Sequence, residues 1–399
     1  MNIVAYPKYD SYRESDVEWW PSAPSHWTVK ALKHGLRINN GQDHKDVLAD
    51  DGYPVYGSGG QFAFARDYLH DGDAILLGRK GTIDKPLHVR GRFWSVDTMF
   101  YGVCKTGFLP RFAYYYCTTI PFFYFSTSTA LPSMTQDDLK NNPALFPSLT
   151  EQRAIAAFLD SKCATIDEAV RIKQEQIKLL RERRQILIQQ AVTRGLNPDA
   201  PMKDSGIDWI GQIPAHWEVR PIRYAFRFRN NQRVPLSGSE REHMQGKYPY
   251  YGASGVIDYV DDYIFDEALI LIAEDGANLL SKSTPLAFVA RGKYWVNNHA
   301  HILEPLFPGF EYWAEMLSAV DYTIYISGSA QPKLTRDRLG GVRVPVPPPD
   351  ERKEIIALIN QQSEKYQHAI SIKKDQIAAL KEYKTSLINA AVTGKIKVI

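Results

Sequence analysis

Residues 18–30 read EWWPSAPSHWTVK and residues 208–220 read DWIGQIPAHWEVR, so Trp19, Pro24, His26, Trp27 and Val29 fall on Trp209, Pro214, His216, Trp217 and Val219. The correspondence continues down the chain. YPVYGSGG (53–60) meets YPYYGASG (248–255), DAILLGRKGT (73–82) meets EALILIAEDGA (267–277) with Gly81 on Gly276, and RGRFW (90–94) meets RGKYW (291–295). ALPSMTQDDL (130–139) then lies over AQPKLTRDRL (330–339), LTEQRAIAAFLD (149–160) over PDERKEIIALIN (349–360), and LIQQAVTR (187–194) over LINAAVTG (387–394). The offset grows from 190 at His26 and His216 to 200 at Leu187 and Leu387, which places insertions in the first 130 residues of the second copy. Solenoid units run to tens of residues, so a period this long marks a duplicated domain.

Each copy has two parts. The first is rich in Tyr, Phe and Gly, with apolar runs such as AILLG and ALILIA bounded by Gly and Asp, and it reads as short strands and turns. The second reads as one long helix, entered through a proline-bearing stop (FPSLT, 146–150; VPVPPPD, 344–350). Thr150 and Asp350 are its expected N-caps, with Glu151 and Glu351 in the first turn where the helix dipole favours them. Apolar residues then recur at steps of four and three. They are Ile155, Leu159, Ile166, Val170, Ile177, Leu180, Leu187 and Ala191 in the first copy. In the second they are Ile355, Ile359, Tyr366, Ile370, Ile377, Leu380, Leu387 and Ala391. This is a heptad seam, interrupted at matching polar positions by Lys162 and Gln362, Lys173 and Lys373, and Arg184 and Lys384. The expected division is therefore a domain at 1–148, a helix at 149–196, a second domain at 197–348 and a second helix at 349–399.

A helix of about 40 residues is about 60 Å long at 1.5 Å per residue. If the two seams pack antiparallel, two similar domains sit at opposite ends of the pair, related by a pseudo-two-fold axis. The expected fold class is α+β: two mixed α/β domains held apart by a two-helix antiparallel coiled coil. Such a scaffold can hold two copies of one partner. It also suits double-stranded DNA with two half-sites one helical turn, about 34 Å, or more apart.

Composition excludes more than it proposes. No run of 18 apolar residues is present for a membrane span, and the N-terminal residues lack the features of a secretory signal. Cys104, Cys117 and Cys163 are odd in number and widely spaced, which points to reduced structural thiols in a cytoplasm and to no metal site. The net charge of +3 permits nucleic-acid binding without requiring it. Neither H-E-x-x-H, G-x-S-x-G nor a Walker sequence occurs, and NNPALF (141–146) lacks the second proline of an amino-methyltransferase tetrad. The expectation is a chain without catalytic residues.

The candidate DNA-contacting residues lie where the repeats coincide in frame but differ in chemistry. GRKGT offers Arg79, Lys80 and Thr82, whereas the aligned AEDGAN offers Glu274, Asp275 and Asn278. Arg and Lys bond to guanine O6 and N7, while carboxylates accept from cytosine N4; solvated loop charge is the alternative at this loop alone. Tyr56, Ser58 and Gly59 of YGSGGQF, and Ser254 of YGASGVI, are candidates because such a turn can bring backbone close to DNA; a tight turn that only joins two strands is the alternative. Ser128 and Ser133 of STSTALPSMT, Gln331 and Lys333 of SGSAQPKLT, and Asn231 and Arg233 of RNNQR complete the set. The recurring His26 and His216 have no ligating or catalytic neighbour in sequence and read as structural hydrogen-bonding residues.

Taken together, the P-x-H-W openings, the YG-x-x-G turns, the RKGT and EDGA loops, QPKLT, PPPDERKEI and AAVTG resemble the specificity (S) subunit of type I restriction-modification systems. The resemblance covers nearly the whole chain, in order, in both halves. It implies two target recognition domains that each read one half of a bipartite, asymmetric DNA site, and two helices that dock two methyltransferase subunits. S-adenosylmethionine, ATP and Mg would then belong to the methyltransferase and restriction subunits, and this chain would hold no cofactor of its own. The first half departs from the pattern: APSHW lacks the usual isoleucine, and ALPSMT has Ser133 where QPKLT has Lys333. A recognition subunit of a methyltransferase-only complex and a coiled-coil adaptor without DNA readout are the alternatives.

Overall fold

The run AILLG forms the strand Ala74–Gly78 and LILIA the strand Leu269–Ala273, each buried at all five positions. A strand with no polar face has to lie between two covered layers. The structure, a computed structural model, describes residues 6–126, 132–328 and 332–398. The chain forms two units, one of Met1–Gln174 with Lys374–Ile399 and one of Glu175–Lys373.

In the first unit Ala74–Gly78 lies in an antiparallel sheet of order Leu87–Val89, Ala74–Gly78, Met99–Cys104 and Leu36–Asn40. A second sheet is built on the hairpin Tyr53–Gly57 and Gly60–Ala65, with Arg92–Ser95 parallel to the first hairpin strand. The second unit repeats both arrangements, with Leu269–Ala273 between Ala287–Ala290 and Ala300–Pro305, and the hairpin Gln245–Gly252 and Gly255–Val260 beside Lys293–Val296. Even the register agrees: Trp94 pairs with Val55 as Trp295 does with Tyr250, and Met99 with Gly78 as Ala300 does with Ala273. Where the second copy is longer, it carries the helical turns Gly238–His243 and Asn278–Ser281. The expected α+β class is therefore the one observed, with two similar mixed α/β domains.

The long helices run from Leu149 to Arg194 and from Pro349 to Val392. The first starts earlier than the expected cap at Thr150. Ser148 caps it instead: its hydroxyl and amide both donate to Glu151 Oε2, at 2.8 and 3.0 Å, while the Glu151 amide returns a bond to Ser148 Oγ at 3.3 Å. This is a Ser-x-x-Glu capping box. Asp350 is likewise inside the second helix, which opens on Pro349, where a missing N–H costs nothing.

Within each unit the two helices pack antiparallel. In the first unit Ile155, Leu159 and Ile166, from the start of one helix, share a core with Leu387, Ala391 and Val392, from the end of the other. Lys384 reaches Asp167 at 2.6 Å, so this polar seam residue is matched across the pair. In the second unit Ile355 and Ile359 share a core with Ile188, Ala191 and Val192, and Arg184 donates to Ser363 at 2.9 Å and to Glu315 at 2.7 Å. Ile177 is buried; Leu180, Ile377 and Leu380 are half-buried. Lys162 departs from the seam, lying exposed with its ammonium 5.9 Å from the centre of the Phe158 ring.

The repeated His-Trp pair fastens each domain to its helices. His26 Nε2 and Trp27 Nε1 lie 2.8 and 2.9 Å from Glu151 Oε1; His216 and Trp217 meet Glu351 Oε2 at 2.7 and 2.8 Å. The glycine ending each AVT run then closes over the tryptophan. Any side chain at Gly394 would collide with Pro24 and Trp27, and one at Gly195 would press on Glu351 and Trp217. Both glycines have φ of +72°. The structural role expected for the two histidines is the one they have.

Candidate nucleic-acid interface

At one end of each domain three segments distant in sequence are joined by backbone hydrogen bonds. In the first unit the hairpin turn Gly57–Gly60 is followed in space by the turn 96–98, because Val96 N–H donates to the Tyr56 carbonyl at 3.1 Å. That turn holds the loop after Ala74–Gly78, since Arg79 N–H donates to the Thr98 carbonyl at 2.8 Å. The loop holds the third segment: Gly81 N–H donates to Pro132 O at 2.9 Å and Met134 N–H to Arg79 O at 3.0 Å, with a bridge between Lys80 and Ser133. Tyr56, Ser58, Gly59, Arg79, Lys80 and Ser133 are thus brought to one corner. Arg79 and Lys80 are exposed there, and the Arg79 guanidinium donates to the Asp97 carbonyl at 3.3 Å. Thr82 lies half-buried just behind them, its carbonyl against Gly78. Tyr56 turns its ring inward, edge-on to Phe93.

The second unit builds the same corner. Asn297 N–H donates to Tyr251 O, Glu274 N–H to His299 O, Gly276 N–H to Pro332 O and Leu334 N–H to Glu274 O, all between 2.8 and 3.1 Å. Asp275 bridges Lys333 as Lys80 bridges Ser133. Gly81 and Gly276 have φ of +81° and +101°, the left-handed geometry that lets each loop turn back onto its third segment.

The side chains, however, are engaged differently. Glu274 is only 13% exposed and is held by Arg233 at 2.5 Å, with Lys333 at 3.4 Å and His301 at 3.5 Å. Burial alone would raise its pKa, but the Arg233 bond and the surrounding cations outweigh it and hold the carboxyl below the usual carboxylate range. His301 is 1% exposed; burial pushes its pKa down, so it stays neutral, donating from Nε2 to Leu334 O and accepting from Asn230 at Nδ1. Glu274 and Arg233, both read from sequence as DNA-facing, therefore bind each other, and Asp275 pairs with His299 at 2.9 Å. Asn278 ties down its own loop through Ser283 and Thr284. Ser254 stays exposed at the hairpin tip and Asn231 in the turn Asn230–Gln232. Ser128 and Gln331 lie outside the described residues.

Sequence reading overlooked the turn that joins these segments, SVDT in one repeat and VNNH in the other. Its signal was present: the copies diverge immediately after the shared RG-x-aromatic-Trp. In the first unit this turn borders a cleft of about 430 Å³, lined also by His44, Ser58, Gly59 and Phe62. Among the described residues no group of three or more His, Cys, Asp or Glu could hold a metal ion, and no helix is long and apolar enough to cross a membrane.

Two segments of the chain, residues 24–179 and 214–382, match the family model for the type I restriction modification DNA specificity domain. The chain belongs to this family. The two matched specificity domains are the two copies of the duplication, each with most of its long helix. A Haemophilus influenzae protein described as a type I restriction enzyme specificity subunit is 34% identical over 147 residues, which is 36% of each chain. A Methanocaldococcus jannaschii protein described in the same terms is 25% identical over 284 residues, 67% of this chain and 62% of that one. The alignments thus span less than two thirds of the length of these relatives. A solved chain from a study of assembly and conformational transition of the type I R-M system has a TM-score of 0.65 at 15% identity, covering 94% of this specificity-domain chain and 99% of its own. At that identity the likeness is one of fold.

Proposed function

We propose that this chain is the DNA-recognition subunit of a type I restriction-modification complex, each specificity domain reading one half of a bipartite, asymmetric double-stranded site. The observation that carries the reading is the pair of corresponding corners: one backbone framework, built twice, with Arg79 and Lys80 exposed in one copy and, at the same positions of the other, Glu274 and Asp275 engaged by Arg233 and His299. Two readers of different sequence need a shared frame and unlike side chains. The paired helices dock two copies of a methyltransferase subunit, and restriction subunits join the complex. The chain itself carries no cofactor and catalyses nothing; S-adenosylmethionine, ATP and Mg serve the partner subunits, in the cytoplasm.

The test is to co-express the chain with its methyltransferase partner in a host lacking other adenine methylation and to map modified adenines. A bipartite asymmetric motif is expected, and Arg79→Ala with Lys80→Ala should alter one half of it only. Methylation that ignores sequence, or a motif untouched by the pair of substitutions, counts against the reading.

A further inference from the structure

The hairpin sheet of each domain has two ends that have diverged very differently. At the end away from the corner, Arg92 lies 4.9 Å from the centre of the Tyr68 ring and pairs with Asp71, while Tyr53 packs on Tyr68 at 5.1 Å. The second unit keeps this cluster: Lys293 lies 4.5 Å from the centre of Tyr263, and Tyr248 packs on Tyr263 at 5.1 Å. At the corner the corresponding residues differ: Phe62 and Ile257, Arg79 and Glu274, Asp97 and Asn298, Thr98 and His299, Ser133 and Lys333. Both ends of a sheet face the same demands of folding. A selective cause that acts at one end only is contact with unlike base sequences, because groups that position the duplex are shareable whereas groups that touch base edges are not.

At that corner few side chains are available. Glu274, Arg233 and Asp275 are committed within the second domain. Asp97 and Asn298 occupy the same place in the two frames, are exposed, and among the described residues have side chains without a hydrogen-bonding partner. Their backbones are fixed on both sides. Val96 N–H donates to Tyr56 O and Arg79 N–H to Thr98 O in one unit; Asn297 N–H donates to Tyr251 O and Glu274 N–H to His299 O in the other. His299 N–H also donates to Asn297 Oδ1 at 2.8 Å. Such a turn presents its tip without having to be ordered on binding.

We propose that Asp97 and Asn298 are specificity-determining residues, each reading one base of its own domain's half-site from the major groove. The Asp97 carboxylate, acceptor only, takes an exocyclic amino group, cytosine N4 or adenine N6. The cleft beside it, walled by Phe62 and His44, leaves room for the base edge. The Asn298 amide offers a donor and an acceptor and matches adenine N6 and N7. This rests on the DNA-recognition reading above.

The test is selection from a randomised duplex pool by the full-length chain in complex with its methyltransferase partner. Asp97→Asn and Asn298→Asp preserve shape, and unchanged thermal midpoints verify folding. Asp97→Asn is expected to change preference about tenfold or more at a single position of one half-site. The selected base there, C or A in the parent, identifies which amino group is read. Asn298→Asp should do the same in the other half-site, while Arg92→Lys, at the shared end, should leave selection unaltered. If the parent selects a bipartite sequence and both variants select the same one, the assignment of these two residues is overturned while DNA recognition stands. If the parent selects no sequence at all, the recognition reading fails and this one with it.

Discussion

Glu151 shows how much one residue can organise. Its carboxylate caps its own helix through Ser148 and accepts from His26 and Trp27, which lie more than 120 positions earlier in the chain. Burial alone would raise its pKa, but the bonds from Trp27, His26 and Ser148 outweigh it and hold the carboxyl below its ordinary value. The charged form is therefore favoured by folding. Its contribution is complete above the unfolded value of about 4.3 and is lost as pH falls through the lower folded value. Glu151→Gln should cost about 1–3 kcal/mol at neutral pH, because it turns one of two carboxylate oxygens, which together accept from four donors, into an amide that cannot accept. Urea unfolding of the first unit below pH 5 should then depend less steeply on pH in the variant; an unchanged pH profile would dismiss the hook. In the second unit Arg233→Ala leaves Glu274 buried beside a neutral histidine and one half-exposed lysine, with an expected loss of about 3 kcal/mol. Comparison with Arg233→Lys in chemical denaturation separates lost charge from lost geometry. The histidines' structural role was legible from their repetition and lack of ligating neighbours. The Glu274 cluster was not, since Arg233, His301 and Lys333 converge on it from three separate strands and turns.

Among elements, the helices were the most legible and their ends the least. Heptad spacing specifies which side of a helix is buried, and Ile155, Leu159, Ile355 and Ile359 are buried as that spacing requires. Leu387, fully buried in the first unit's core, should lose about 3 kcal/mol on substitution by Ala, whereas Lys384→Ala, at a partly exposed ion pair with Asp167, should cost under about 1 kcal/mol. Denaturation midpoints of the two variants measure the difference, and equal effects would contradict the packing. The helix start was misplaced by a local competitor: Thr150 has the composition of a cap, but Ser148 stands three residues before Glu151 and takes both halves of the box. Strands within the domains were recognisable as apolar runs, yet their pairing order was not, because hydrogen-bonded neighbours such as Trp94 and Val55 lie about 40 positions apart.

For the whole molecule, the first unit is completed by the last residues of the chain. Leu387, Ala391, Val392 and Ile396 share its core with Trp27 and Ile155, and Tyr12 donates its hydroxyl to the Gly394 carbonyl at 3.0 Å. A chain ending at Lys373 should therefore lose hydrogen-exchange protection throughout the first unit while Glu175–Lys373 retains it. Protection preserved in both units would show that the closing helix is dispensable.

The duplication, the α+β class, the seam and the family were all legible in the linear chain, because repeats and periodicity are local patterns that survive without knowledge of what touches what. The RKGT and EDGA loops of the corner were also legible, since matching frame and unlike chemistry are visible in one dimension, whereas the SVDT and VNNH turn that joins them was not singled out. Tertiary structure alone decided which of those side chains remain available. Glu274 and Asp97 look equally exposed as letters, but folding surrounds one with cations and leaves the other's carboxylate without a hydrogen-bonding partner among the described residues. The difference is physical: a charged group's availability depends on the non-local groups that packing brings within a few ångströms, and sequence separation says nothing about that distance.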